Sequence, residues 1–191
     1  MKTVSLTLLA SIAALTASVA QAAPSTYNID PTHTFVTFEA KHFGTSTNRG
    51  RFDKKTGTVT LDVAAKTGTV DVTVETGSIN TGYGAFENHL KSKDFFNAEA
   101  FPTAHFVGDK FTFEGDKVTA VSGTLTLLGK SQPVEFKAAN FNCYQNPMLK
   151  REVCGGDFEG VITRSAFGMN YGLPFIPDSV KLVIQVEAVK Q

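Results

Sequence analysis

The chain has no tryptophan and, in 191 residues, only two cysteines, three methionines, four histidines and seven prolines. Two cysteines rule out a disulfide-dense scaffold, and no histidine lies near either in sequence, so a four-ligand zinc site has no donors there. The histidines, His33, His42, His89 and His105, are spread along the chain, and neither H-E-x-x-H nor G-x-S-x-G occurs. Charge of one sign is also missing: 18 basic side chains balance 18 acidic ones. That balance gives no electrostatic case for nucleic acid or an anionic membrane. No Pro/Ser-rich linker or internal repeat divides the sequence. Beyond the first residues, no apolar run is long enough to span a bilayer as a helix.

Residues 1–22 read differently from the rest. Met1-Lys2 is a short positive start, Val4 to Val19 is mostly apolar with Ser and Thr, and Ala20-Gln21-Ala22 has the A-x-A form of a cleavage site. The expectation is a secretory signal peptide cut after Ala22, with residues 23–191 forming one periplasmic or secreted domain. An uncleaved anchor is the rival reading. In an exported chain, Cys143 and Cys154 are expected to form the single disulfide they allow.

What is abundant is period-two alternation. Val36, Phe38 and Ala40 share one face; so do Val59, Leu61 and Val63, then Val70, Val72 and Val74. Val180, Leu182, Ile184, Val186 and Ala188 form the clearest run. Further runs cover Phe111 and Phe113, Val121 to Leu127, and Val134 to Ala138. Weaker ones cover Ala104–Val107 and Phe158–Arg164. Turns are expected at Lys55-Thr56-Gly57, Lys66-Thr67-Gly68, Glu114-Gly115-Asp116, Gly129-Lys130 and Gly155-Gly156, and a bend or bulge at Gly168. The pattern predicts an all-β domain of about eight or nine antiparallel strands, either a sandwich or an up-and-down barrel. Residues 82–102 break it. Phe86 and Leu90 are spaced for one helix face, Ser92 can cap a further turn, and Pro102 ends helical structure.

Sixteen phenylalanines are many for such a core. Phe43, Phe52, Phe86, Phe95, Phe96, Phe101, Phe167 and Phe175 fall outside the regular runs. Three explanations stand: they plug the ends of a barrel, they line an apolar ligand cavity, or they form a patch for a partner. Glu87 and Asp94 have the residue types of a glycosidase pair but read better as solvated acids. Lys91-Ser92-Lys93 reads as a wet helix face, with an anionic head group as the functional alternative.

Several strings occur in an order that resembles the YceI-like family of exported lipid-binding proteins. They are Asp30-Pro31-Thr32-His33-Thr34, Gly50-Arg51-Phe52, Ser78-Ile79-Asn80-Thr81, and His89-Leu90-Lys91-Ser92-Lys93-Asp94-Phe95-Phe96. Phe101-Pro102-Thr103, Gly123-Thr124-Leu125-Thr126-Leu127, and Arg164 with Phe167-Gly168 follow. The His89–Phe96 string is the most specific, and the resemblance runs from about Tyr27 to Gln191. It implies a lipocalin-like antiparallel barrel with a short helical insertion. Its apolar pore would hold a polyisoprenoid or quinone-like lipid without catalysis or a cofactor. It also implies transient contact with the inner membrane or a membrane cytochrome; no oligomeric state is assigned. If the apolar strand faces point inward, the pore residues are Val36, Phe38, Val72, Phe106, Phe136, Leu182 and Ile184, with Phe95, Phe96, Phe167 and Met169 nearer an opening. His42, His89, Lys91 and Arg164 are the candidates for head-group contact. His42, His89 and Arg164 are also the candidates if the protein instead acts as an enzyme on such a head group. A plugged barrel with a structural or adhesive role is the third reading. The Cys143–Cys154 segment departs from the family pattern and is expected to reshape one mouth.

Overall fold

A computed structural model describes residues 23–191; the expected signal segment lies outside the described residues. The strands are β1 (Ser25–Ile29), β2 (Phe35–His42), β3 (Ser46–Phe52), β4 (Lys55–Asp62), β5 (Thr67–Glu75) and β6 (Ile79–Asn80), then, after helix α1 (Gly84–Lys91), β7 (Thr103–Glu114), β8 (Lys117–Leu127), β9 (Lys130–Asn146), β10 (Arg151–Thr163) and β11 (Ser179–Lys190). All pairings are antiparallel. The ring β1-β4-β5-β7-β8-β9-β10-β11 closes through the β1–β11 pairing, giving an eight-stave up-and-down barrel.

Three staves are interrupted. β11 pairs with β2 through residues 181–185 and with β1 through residues 188–190, so β1 and β2 are two halves of one stave. β3 and β4 are likewise one stave, as are β5 and β6. The string Asp30–Thr34 is the first interruption. Asp30 accepts from the Thr32 N–H at 2.8 Å and the Thr32 hydroxyl at 2.6 Å, and its other oxygen lies 2.7 Å from His33 Nδ1. Partial burial opposes ionisation of Asp30, but the bonds from His33 and Thr32 win and hold its pKa down to about 2. Thr34 then stitches the gap to β11: its hydroxyl donates to the Glu187 carbonyl and accepts from the Glu187 N–H. His33 sits in this turn.

Two expected turns are strand instead. Lys55-Thr56-Gly57 opens β4, and Gly155-Gly156 lies within β10. These glycines serve close backbone approach. A Cβ on Gly155 would lie 2.2 Å from the Val186 carbonyl oxygen, and one on Gly156 2.2 Å from that of Asn140. Gly168 ends a short 3-10 turn (Arg164–Phe167) in the left-handed region, at φ 92°, rather than bending a strand.

The insertion at 82–102 is helical only over α1. The Glu87 carboxylate accepts from the N–H groups of Thr81 and Gly82 ahead of the helix, which holds it below the usual carboxylate range. Leu90 is buried and Phe86 partly so, as their spacing implies. After Lys91 the chain runs in turns, and the Ser92 hydroxyl accepts from the Asp94 N–H. Thr76 ties the segment to the wall by donating its N–H and hydroxyl to the carbonyls of Pro102 and Phe101.

The helix-bearing, upper end also carries the β2–β3 hairpin, the β8–β9 turn and the 164–178 connection. At the lower end, β9 and β10 run unbroken past the cysteines to a turn at 147–150. Cys143 and Cys154 are directly opposed in the ladder and form the expected disulfide. It therefore braces regular strands at the end opposite α1, and the mouth near α1 is not reshaped by it. Replacing both cysteines by serine should lower stability by about 2–3 kcal/mol, or roughly 5–10 °C in Tm, leaving the upper end unchanged; thermal unfolding checks this.

Candidate ligand-binding cavity

Alternation along the staves turns one face of every strand inward, and the inward faces enclose an apolar cavity of about 240 Å³. β11 contributes Val180, Leu182, Ile184, Val186 and Ala188; β5 contributes Val70, Val72 and Val74. Phe106 and Phe136 meet edge to face in the interior, with ring centroids 5.1 Å apart. The lining run on β11 spans nine residues, so the cavity wall extends roughly 20 Å along the barrel axis once strand tilt is allowed for.

Of the expected pore residues, Val36, Phe38, Val72, Phe95, Phe96, Phe106, Phe136, Met169, Leu182 and Ile184 all line this cavity. Phe167 does not. It is 2 % exposed but packs off the cavity, because Gly168 turns the chain and presents Met169 to the interior instead.

The head-group candidates separate. Arg164 lines the cavity, but it is buried and its guanidinium is occupied. Nε donates to the Pro177 carbonyl at 3.0 Å, Nη1 to Met169 at 2.8 Å and Nη2 to Ile176 at 2.8 Å. Its role is to hold the 169–177 connection against the barrel, which corrects the head-group expectation. Asp178 secures the same corner by accepting from the N–H and hydroxyl of Ser165. His89 lies at the upper end, its ring edge-on to Phe95 and Tyr171 and its Nε2 3.4 Å from Asp94. Lys91 is partly buried beside it in sequence, and His42 is exposed next to the hairpin tip with its ring against Phe43. None of these three lines the cavity.

The two ends differ. At the lower end Tyr27, Leu61, Val118 and Ala188 are each 4 % exposed or less. Behind them the Tyr27 hydroxyl donates to Glu152 at 2.6 Å, and Lys190 reaches the same oxygen at 3.3 Å. Burial and the adjacent Glu152 push the Tyr27 phenol up to about 12. At the upper end the lining side chains Ala40, Phe96 and Ile176 are only partly buried, as Val59, Val70 and Phe111 are towards the lower end. Period-two alternation in Ser25–Ile29 could have found Tyr27 and Ile29. Nothing in the Gly/Pro-containing segment around Ile176 carries such a signal. Among the described residues, no cluster of three His, Cys, Asp or Glu side chains could hold a metal ion.

A closed antiparallel barrel with an apolar interior, and its polar groups engaged at the two ends, belongs to the lipocalin-like class of cavity barrels. Within that class the chain belongs to the YceI-like domain family, whose pattern residues 27–188 match. It is 32% identical over 183 residues to Protein YceI of Salmonella arizonae, covering 94% of this chain and 95% of that one. The Campylobacter jejuni YCEI protein is 27% identical, with a TM-score of 0.66 over 79% of this chain and 90% of its own. Two more distant structures share the fold. Burkholderia cenocepacia BcnA is 24% identical, with a TM-score of 0.68 over 83% of this chain and 98% of its own. A polyisoprenoid binding domain from Saccharophagus degradans, implicated in plant cell wall breakdown, is 14% identical, with a TM-score of 0.62 over 86% of this chain and 98% of its own.

Two outcomes follow from the end groups. Arg164→Gln should cost roughly 3–5 kcal/mol, because it leaves buried carbonyls without their charged donor, and limited proteolysis should then cut within 168–178. The raised Tyr27 pKa means that neutral Tyr27 contributes stability below pH 10, which is lost as pH rises from 10 towards 12. Tyr27→Phe should flatten that alkaline limb in pH-dependent denaturation.

Proposed function

We propose that the protein is a non-catalytic periplasmic carrier that holds one long-chain isoprenoid-type lipid in its barrel. The observation that carries this reading is the lining. The polar side chains on it are Tyr27, Thr34 and Arg164, and each is committed to a protein partner. Such a wall offers no free nucleophile or base, and its one charged side chain, Arg164, is held by three backbone carbonyls, so it selects for hydrocarbon. Each buried methylene contributes about 0.8 kcal/mol, so ten such groups supply roughly 8 kcal/mol before the ordering of the chain is counted. Branched aliphatic and phenylalanine side chains suit the repeating methyl branches of a polyprenyl tail. The Saccharophagus domain, described as binding polyisoprenoid, has the same fold and supports this choice. The signal-like residues 1–22 and membership of a family with exported relatives support a periplasmic location.

The polar end of the ligand is placed at the upper mouth, next to His89 and Lys91, since the lower end is shut by the Tyr27–Glu152–Lys190 cluster. Organic extraction of protein purified from its own source, followed by mass spectrometry, should yield a stoichiometric prenyl-type lipid. Phe38→Asp and Phe136→Asp should abolish its retention without preventing export. Leu182→Trp, which fills the cavity without adding charge, should reduce loading while leaving circular dichroism unchanged. Unaltered loading in all three variants would sink the assignment.

A further inference from the structure

One end of the barrel is covered by a segment that can move without breaking the ladder. We infer that residues 170–175 form a strap over the upper end, rooted at Arg164 and clasped by Phe43, His89 and Phe95, and that its release is the step by which a ligand enters and leaves the cavity. The inference rests on the lipid-carrier reading for its ligand, while the strap itself stands on contacts outside the cavity.

Apart from Thr34, every cavity-lining side chain that is not on a strand belongs to the upper end. Leu90, Phe95 and Phe96 come from the insertion, and Arg164, Met169 and Ile176 from the connection before β11. Towards the lower end the lining is all strand, so opening it there would break ladder hydrogen bonds. The two covers of the upper end are not held alike. Thr76 ties the insertion to the wall by donating to the carbonyls of Phe101 and Pro102, and Glu87 accepts from two N–H groups ahead of its helix. Residues 170–175 have no such tie. Among the described residues they hydrogen-bond only within 170–176: the Leu173 N–H donates to the Asn170 carbonyl at 3.3 Å and the Ile176 N–H to that of Gly172 at 2.8 Å. Arg164 fixes both roots of the strap, through the Met169 carbonyl on one side and those of Ile176 and Pro177 on the other.

Ring contacts hold the strap down between those roots. Tyr171 lies edge-on to His89 and Phe95, with centroids 5.2 Å and 5.4 Å away. Phe175 stacks on Phe43 of the β2–β3 hairpin turn, with centroids 5.7 Å apart and planes 17° from parallel. Tyr171, Phe175 and Phe43 are 47 %, 65 % and 60 % exposed, so these rings give up little buried area when they part. Cavity residues lie beneath the clasp. Tyr171 packs against Phe95, which lines the cavity and is itself buried. Gly172 lies so close to Ile176 that a Cβ there would come within 2.8 Å of Ile176 Cδ1. Lifting the tip therefore uncovers one lining residue of the insertion and one of the connection. A segment with no hydrogen bond to its surroundings and few buried contacts opens at a free energy far below that of global unfolding, and here the charged root stays in place while it does so. Exposed rings on these two connecting segments thus have a role: they fasten a cover that must release.

The test uses delipidated mature protein and two readouts: amide hydrogen exchange, and stopped-flow uptake of a fluorescently tagged geranylgeraniol. Tyr171→Ser with Phe175→Ser removes the clasp and leaves the root intact. Exchange at the Leu173 and Ile176 amides should then rise about tenfold while the strands stay protected. Uptake and release of the probe should both quicken, by a larger factor than the affinity changes. Phe43→Cys with Phe175→Cys, bridged by a short bifunctional thiol reagent, should slow both by about tenfold or more, whereas either cysteine alone, treated in the same way, should not. Met148→Ser with Leu149→Ser, at the opposite end, should change neither readout. The proposal is overturned if the bridged protein takes up probe at the wild-type rate, if the clasp variant exchanges and loads like the wild type, or if the Met148/Leu149 variant is the one that alters loading. Uptake that is indifferent to the bridge sinks the strap and leaves the carrier reading intact. Protein that takes up no probe and yields no lipid on extraction, but whose strap exchanges faster in the clasp variant, sinks the carrier reading and keeps the strap as the closure of the barrel.

Discussion

β11 is hydrogen-bonded along both edges, to β10 on one side and to β2 and then β1 on the other, and this double pairing closes the sheet. Closure fixes side-chain parity around the whole ring. Once Leu182 and Ile184 face inward, each neighbouring stave must present its own apolar set inward, because a one-residue slip would turn that set to solvent. The interrupted first stave is a condition of closure. Asp30–Thr34 steps the chain sideways so that both β1 and β2 remain on the β11 edge, and Thr34 supplies hydrogen bonds where the ladder is broken. The string with the look of a motif is therefore a structural joint.

A barrel closed in this way has no room for unpaired polar groups inside, and the few that reach the cavity are retired to its ends. Arg164 binds three carbonyls of the connection it anchors, and Tyr27 is held by Glu152 and Lys190. These two clusters have opposite consequences. The lower one seals a tightly packed floor. The upper one secures a connection whose outer face carries Phe175 and whose inner face carries Ile176 and Met169. The difference between the ends gives the cavity a direction, with hydrocarbon expected at the floor and a polar terminus at the rim.

The disulfide belongs to the floor as well. Cys154 lines the cavity low in the barrel, and its partner is the directly opposed residue on β9. Its distance from α1 separates this chain's departure from the family pattern from the His89–Phe96 string that carries the family resemblance. Variation at one end can thus alter stability while the opening at the other keeps its shape.

Period-two alternation by itself determined the all-β class, the inward faces of most staves and the seven expected pore positions that lie on strands, since alternation on a strand is a direct record of which face avoids water. Spacing also placed Phe86 and Leu90 on one helix face, and the cysteine count implied the pairing that the ladder makes. What lies between strands was decided only by tertiary structure. Phe167 and Met169 are two residues apart in a turn with no regular period, and the left-handed Gly168 settles which one meets the cavity. Arg164 read as a free cation because its acceptors, the carbonyls of residues 169, 176 and 177, are backbone groups that no sequence pattern marks. Gly155 and Gly156 read as a turn because close approach of two other strands is invisible along one of them. Sandwich and barrel were equally open for the same reason: closure depends on residues 27–29 meeting residues 188–190, a contact between the two ends of the domain that local periodicity cannot encode.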